Sequence, residues 1–315
     1  MQSIALIGLA AQHTSAAEQA GDSASESSWR MLSQRRFGVA GDAAAMALQL
    51  AKLNSTVNLF SCVGDDQGGR QLVGELKRSG VGHRYITCKA GLSTASSIAI
   101  SQGNALQRWL YPGSFEQFDL ADIEVSVLLK HDRIHVSDCG LMALLLQGGL
   151  AEILCTAVAL RKRTSLSIGA QEPVSFEALR CLLPHLDCLF IDVAVLQRWF
   201  PHDSQASAYR KLSGSGPGQL VVLEGERACL CHGDSPAVSY ALETPLQSAE
   251  PSFNSFVVGV LTGLGRQLGL EKALGMGLQL AGGSSADMNK ALAAQVVEQA
   301  SADNSRNKRE ALATE

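Results

Sequence analysis

The sequence predicts an α/β fold with a mostly parallel central sheet. Two observations carry this. From residue 133 onward, short apolar runs of strand length alternate with stretches of helical spacing, and repeated β–α alternation places helices on both faces of a parallel sheet. The chain has 315 residues with 46% hydrophobic content, enough to bury one large core, or one core plus a small appendage.

Residues 3–9 (Ser-Ile-Ala-Leu-Ile-Gly-Leu) read as a buried strand ending at Gly8. Residues 13–36 are rich in Ser, Ala, Glu and Gln and poor in large apolar groups, which predicts a loop or weakly structured flap. Ala, Met and Leu at helical spacing predict a helix over 42–53, ended by Asn54. Val57 to Val63 alternates as a strand, and Gly64-Asp65-Asp66 turns the chain. Residues 67–79 form an amphipathic helix with Leu72, Val73 and Leu76 on one face and Gly80 past its end. Strands at 94–101 and 106–111 flank a Gly103-Asn104 turn. Further strands are expected at 133–137, 164–169, 187–191, 219–223 and 228–232. Helices are expected at 141–161, 174–182, 193–199, 205–213, 254–268 and 271–286, with a short one near 289–300. The reading is one α/β domain over 1–300, a small second element assembled from about 10–40 and 84–112, and a polar tail at 301–315.

Composition excludes several classes. Charged residues are 18% and the formal net charge is -4, without the basic stripe nucleic acid requires. Arg161-Lys162-Arg163 and Lys308-Arg309 read as a solvated helix end and a tail. No basic segment precedes the apolar start, so residues 1–10 read as a strand rather than a secretory signal. No run of about 18 apolar residues is present to span a membrane. Most of the eight cysteines sit in apolar segments, there is no C-x-x-C pair, and the seven histidines are dispersed. These point to free thiols in a reducing cytoplasm and to no metal site.

The most specific stretch is Val63-Gly64-Asp65-Asp66-Gln67-Gly68-Gly69-Arg70-Gln71-Leu72, continuing through Leu76 to Gly80-Val81. It resembles the V-G-D-D-x-x-G-x-x-L-x-x-x-L-x-x-x-G-V signature of the PfkB family of sugar kinases. Leu50-Ala51-Lys52-Leu53, Thr94 onward, Tyr111-Pro112-Gly113-Ser114 and His135-Val136-Ser137-Asp138 match in order and spacing, so the resemblance covers about residues 3–300. It implies a ribokinase-like three-layer α/β/α sandwich with a small β lid over the sugar. It also implies transfer of the ATP γ-phosphate to a sugar or nucleoside hydroxymethyl group. That chemistry needs a carboxylate base, backbone N–H groups at a helix N-terminus, and magnesium bridging the phosphates.

Those requirements are missing at the matching positions. The family's D-T-x-G-A-G-D motif opens a long helix, and its final aspartate, the general base, falls on Asn254. An amide takes no proton at neutral pH. The Gly-Ala-Gly positions of the anion hole fall on Pro251, Ser252 and Phe253, preceded by Glu250. Proline removes an N–H, phenylalanine adds bulk, and glutamate adds negative charge where a phosphate would lie. Asn254 or Ser252 still caps the helix. At the substrate end, the family's sugar aspartate falls on His13. Its G-G-x-x-x-N-x-A falls on Ala40 to Ala47, keeping Gly41, with Ala45 at the asparagine and Asp42 as a helix N-cap or polar contact. At the nucleotide end, N-x-x-E falls on Asp192 to Val195, T-x-G on Leu223-Glu224-Gly225, and D-P-N on Ile168-Gly169-Ala170. Val195 replaces the magnesium-linked glutamate.

Two functions are expected from this pattern. The first is a pseudokinase that binds a small metabolite or a partner protein, with homodimerisation through the lid set against the lack of an apolar alternating strand in 13–36. The second is an active kinase using ATP and magnesium with a displaced base, with Asp42, Glu250, Asp65 or Asp66 as candidates.

Overall fold

The computed structural model describes residues 2–18, 32–102, 105–233, 235, 237–241 and 252–283. In chain order its strands are β1 (Ile4–Ile7), β2 (Ala11–Glu18), β3 (Leu32–Ala40), β4 (Val57–Gly64), β5 (Ile86–Lys89), β6 (Ser96–Gln102), β7 (Ala105–Tyr111), β8 (Arg133–Val136), β9 (Arg163–Ile168), β10 (Cys188–Asp192), β11 (Gln219–Glu224), β12 (Arg227–Cys231) and β13 (Val238–Ala241). The helices are α1 (Asp42–Lys52), α2 (Gln67–Arg78), α3 (Val125–Leu128), α4 (Ala143–Gln147), α5 (Leu150–Ala159), α6 (Phe176–Leu179), α7 (Val193–Trp199), α8 (Gln205–Ser213), α9 (Phe253–Gly265) and α10 (Leu270–Gly282).

Nine strands form the main sheet in the order β13-β12-β11-β10-β9-β8-β1-β4-β5. From β5 to β11 neighbours run parallel, and β12 and β13 join antiparallel. Side chains alternate across a strand, so a buried parallel strand feeds two cores. β1 does so: Ile4 and Leu6 pack with α1, α2, α9 and α10, while Ala5 and Ile7 pack with α3 to α8. The result is the three-layer α/β/α sandwich. A second sheet of order β3-β2-β6-β7 forms the lid.

Several local expectations change. Residues 13–36 hold much of two lid strands: β2 pairs antiparallel with β3 and parallel with β6. Their sequence hides this because no face of β3 is fully buried, so pairing rests on the backbone rather than on an apolar period. Ile86–Lys89 joins the main sheet beside β4 rather than the lid. The expected helix at 141–161 is broken at Gly148-Gly149 into α4 and α5, and only Phe176–Leu179 of 174–182 is α-helical. β13 had no sequence forecast. The Gly103-Asn104 turn, the helix near 289–300 and the tail lie outside the described residues. No helix among the described residues is long and apolar enough to cross a membrane.

The Gly-Asp-Asp block has a structural role. Asp66 is the N-cap of α2, accepting from Gly69 N at 2.7 Å. It also accepts from Thr94 N at 2.8 Å and Thr94 Oγ1 at 2.6 Å, and Thr94 Oγ1 accepts from Gly64 N at 3.0 Å. Asp66 therefore ties the head of α2 to the chain entering β6. Asp65 points outward to Arg70 at 3.4 Å, an exposed pair of little energetic weight. Asp66→Ala is expected to cost at least the ~1 kcal/mol of a lost cap, with the Thr94 link adding to it. Urea unfolding checks this, and a change within error would remove the assigned role.

Candidate ligand cleft

The cleft floor is built where α1 and α9 begin. Ser252 caps α9, its Oγ accepting from Ser255 N at 3.4 Å, as expected for one of the two candidate caps. Phe253 opens the helix and stands beside Gly169: a Cβ on Gly169 would lie 3.6 Å from the Phe253 ring and 3.7 Å from Asp42 Oδ2. Asn254 does not cap. Its Nδ2 donates to Asp42 Oδ1 at 2.8 Å. The N-cap of α1 is Gly41, so Asp42 is the first helical residue and its carboxylate is free to reach α9. Gly41 has φ +92°, and a Cβ there would meet Leu9 O at 2.1 Å, a contact only glycine permits.

Beneath Asp42 lies a carboxylate absent from the sequence-based site. Asp138 is buried directly after β8 with φ +57°. Its Oδ1 accepts from Asp42 N at 3.0 Å, and its Oδ2 from Leu9 N at 2.9 Å and Ala43 N at 3.0 Å. Ser137 Oγ adds a fourth donor at 3.2 Å. Burial and the Asp42 carboxylate push Asp138 up to about 7, against the pull of these N–H bonds. Asp42 is itself raised by burial, partly offset by Asn254. Glu172, also buried, accepts from Gly140 N at 3.0 Å and is raised well above the carboxylate range by burial and by Asp138. Its Oε2 has no partner among the described residues. No arginine, lysine or histidine pairs with any of the three among the described residues. The signal for Asp138 in the sequence was its place in the matching segment His135-Val136-Ser137-Asp138, just past an apolar strand, and that did not reveal its role.

The other forecast positions scatter. His13 faces Ser97 across the lid, Nδ1 to Oγ 2.7 Å, and lines a groove of about 700 Å³ with Phe37, Gln71, Glu75 and Arg78 of the lid and α2. Ala45 sits half-buried in α1, and its methyl offers no polar group. Asp192 caps α7 through Ala194 N at 2.8 Å. Val195 and Leu223 are core residues, and Gly225 makes the β11–β12 turn with φ +55°. Pro251 and Glu250 lie outside the described residues.

ATP with magnesium does not fit these residues. The glutamate position is a buried valine, Asp192 is committed to a helix cap, and the head of α9 presents an amide bonded to a carboxylate. Among the described residues no group of three or more His, Cys, Asp or Glu is placed to hold a metal ion. His135 is fully buried between Ser165 and Ser167, at 2.8 and 3.0 Å, and burial lowers it to about 3, so it is a neutral core residue.

A parallel sheet between two helical layers, with a four-stranded lid and a cleft at the heads of α1 and α9, defines a ribokinase-like α/β fold. The pfkB family carbohydrate kinase model matches residues 1–247, and the chain belongs to that family. The match ends before α9. Among solved structures, the chain is similar to a PfkB protein from Polaromonas sp. JS666 (TM-score 0.75, 18% identity, covering 92% of this chain and 99% of that one). It is similar to adenosine kinase from Sinorhizobium meliloti (TM-score 0.73, 16% identity, 89% and 93% covered). It is also similar to Arabidopsis thaliana ribokinase complexed with ribose and ATP (TM-score 0.72, 13% identity, 89% and 91% covered). No curated protein sequence matches.

Asp138 and His135 have opposite effects on stability against pH. Asp138, raised in the fold, adds stability in full below about pH 4, its unfolded range, and loses it as pH rises through about 7. Buried His135, depressed in the fold, costs stability as pH falls below its ordinary value near 6.5. Comparing the wild type with Asp138→Asn cancels the histidine. The stability advantage of the wild type is expected to shrink as pH rises from about 5 to about 7.5, read by urea unfolding. An advantage that is constant or grows contradicts the assignment.

Proposed function

We propose that this chain is a PfkB-family member that has lost ATP-dependent phosphoryl transfer and serves as a ligand-binding or protein-assembly module, with a small metabolite in the old cleft. What supports this is the head of α9, where Asn254, placed at the family's base position by the resemblance, spends its N–H on Asp42. Loss of a general base costs about 10²–10⁴-fold in rate, and loss of an anion hole about a further 10²–10³-fold. The family match stopping at residue 247, short of the helix that carries the family's catalytic motif, agrees with this reading. The eight free cysteines support a reducing, cytoplasmic setting.

The Asn254–Asp42 contact also favours one specific alternative, an active carbohydrate kinase with Asp42 as the displaced base. Of the other candidates, Asp66 is committed to Thr94 and α2, and Asp65 faces Arg70. Calorimetry with ATP and magnesium, and turnover with a panel of sugars and nucleosides, separates the two. The proposal expects no micromolar nucleotide binding. Turnover above roughly 0.1 per second, within the ordinary enzyme range, that is lost in Asp42→Asn would establish the alternative.

We also propose that a second copy covers the lid. Phe37, Thr14, Ile98 and Trp109 form one cross-strand row, with Phe37 71% and Trp109 50% exposed. The row is apolar at three of its four positions and spans the whole sheet, so the same face on another copy is its natural complement. Sedimentation is expected to give a dimer, and Trp109→Glu with Phe37→Glu a monomer. A monomeric wild type at about 10–100 μM, where modest interfaces still associate, rejects this.

A further inference from the structure

We propose that Asp42 and Asp138 share one proton and that this pair latches the lid to the cleft floor, holding the lid roots while the proton is kept and loosening them when it is lost. The geometry points to a latch because both ends of the β2–β3 hairpin meet on one side chain. Leu9 N, at the root of β2, and Asp42 N and Ala43 N, just past the end of β3, all donate to Asp138 at 2.9–3.0 Å. The two roots also touch each other, Ala44 N donating to Leu9 O at 3.2 Å. Gly8 allows the approach: a Cβ there would lie 2.7 Å from both Asp138 Oδ2 and Ala43 Cβ. From Asp42 the chain of bonds continues to Asn254 at the head of α9. The cleft floor is thus joined to the lid roots through two carboxylates.

The groups facing the pair are acidic or neutral. The β1–β2 link contributes only backbone. The turn after β8 contributes Ser137 and the buried Cys139, whose thiol is raised by burial, Glu172 and Asp138. The chain after β9 contributes Glu172, raised well above its range by burial and Asp138. α9 contributes the amide of Asn254. Among the described residues no lysine, arginine or histidine pairs with these carboxylates, Arg198 donating instead to the carbonyls of Ala170 and Glu172, and burial pushes the Asp138 carboxyl up to about 7. A root that opens to water returns Asp138 toward the ordinary carboxylate value, so the closed form binds the proton more tightly, and rising pH favours opening.

The latch is tested by amide hydrogen exchange on the full chain, corrected for intrinsic rates, between about pH 4.5 and 8.5. Protection at Leu9 and Ala43 is expected to fall by up to roughly tenfold per pH unit as pH rises toward about 7, and to level off above it, for a single coupled proton. Amides of β10 are expected to hold steady. In Asp42→Asn, which removes the neighbouring charge and keeps the side-chain shape, the level-off is expected to move to lower pH, with burial still holding Asp138 up, and in Asp138→Asn, which has no proton to lose, the fall is expected to vanish. Lid-root protection that does not change with pH in the wild type overturns the proposal, as does an equal pH dependence in Asp42→Asn.

Discussion

A buried carboxylate is tolerable only where donors replace its water, and Asp138 sets the geometry of this molecule by collecting them. Three backbone N–H groups and a hydroxyl converge on it from segments about 95 to 130 residues distant or next to it. Leaving one buried N–H unpaired costs ~1–3 kcal/mol, so removing this side chain would orphan three at once. The constraint spreads outward. Gly8 must lack a side chain for Asp138 to approach, and Gly41 must lack one for the two lid roots to lie against each other.

The lid is held at its other entry by a second aspartate. Asp66 fixes Thr94 just before β6, as Asp138 fixes the chain on either side of the β2–β3 hairpin. Neither role involves a reacting group. The Gly-Asp-Asp signature thus has a reason to persist that is independent of phosphoryl transfer. The signature is a mechanical joint between α2, β4 and the lid, and a fold that keeps its lid needs the joint whether or not phosphate is transferred.

The central strands of the main sheet were legible because they are buried on both faces, as runs such as Cys188-Leu189-Phe190-Ile191 advertise, whereas the half-exposed edge strand β5 was not. In the lid, β6 and β7 were forecast at 94–101 and 106–111, but β2 and β3 were not, because β3 is mostly exposed and carries Arg35 and Arg36 beside Phe37. Asn254 and Val195 could be read position by position against a family pattern, and Asp138 fell in a segment that matches it, His135-Val136-Ser137-Asp138. The roles of Asp138 and Glu172 could not. An acid after a strand resembles any turn residue, and its meaning comes from Leu9 and Ala43, which only the folded chain brings near. Asp42 was legible as a polar residue at a helix start, but the expected cap falls to Gly41, and this frees the carboxylate for Asn254.

That exchange changes what the cleft needs. In the family pattern the carboxylate stands on the long helix and glycines leave its N–H groups open for an anion. Here the amide stands on α9, the carboxylate on α1, and each satisfies the other at 2.8 Å. Ser252 covers a further N–H of α9, and Phe253 fills space beside Gly169. The Asn254 amide, the Asp42 carboxylate and the Ser255 N–H are thus paired within the chain. Three acidic groups whose ionisation burial opposes, Asp42, Asp138 and Glu172, lie in and beneath this floor. A polyphosphate brought there would oppose their ionisation further and would find no glycine at 252 or 253 to frame backbone donors.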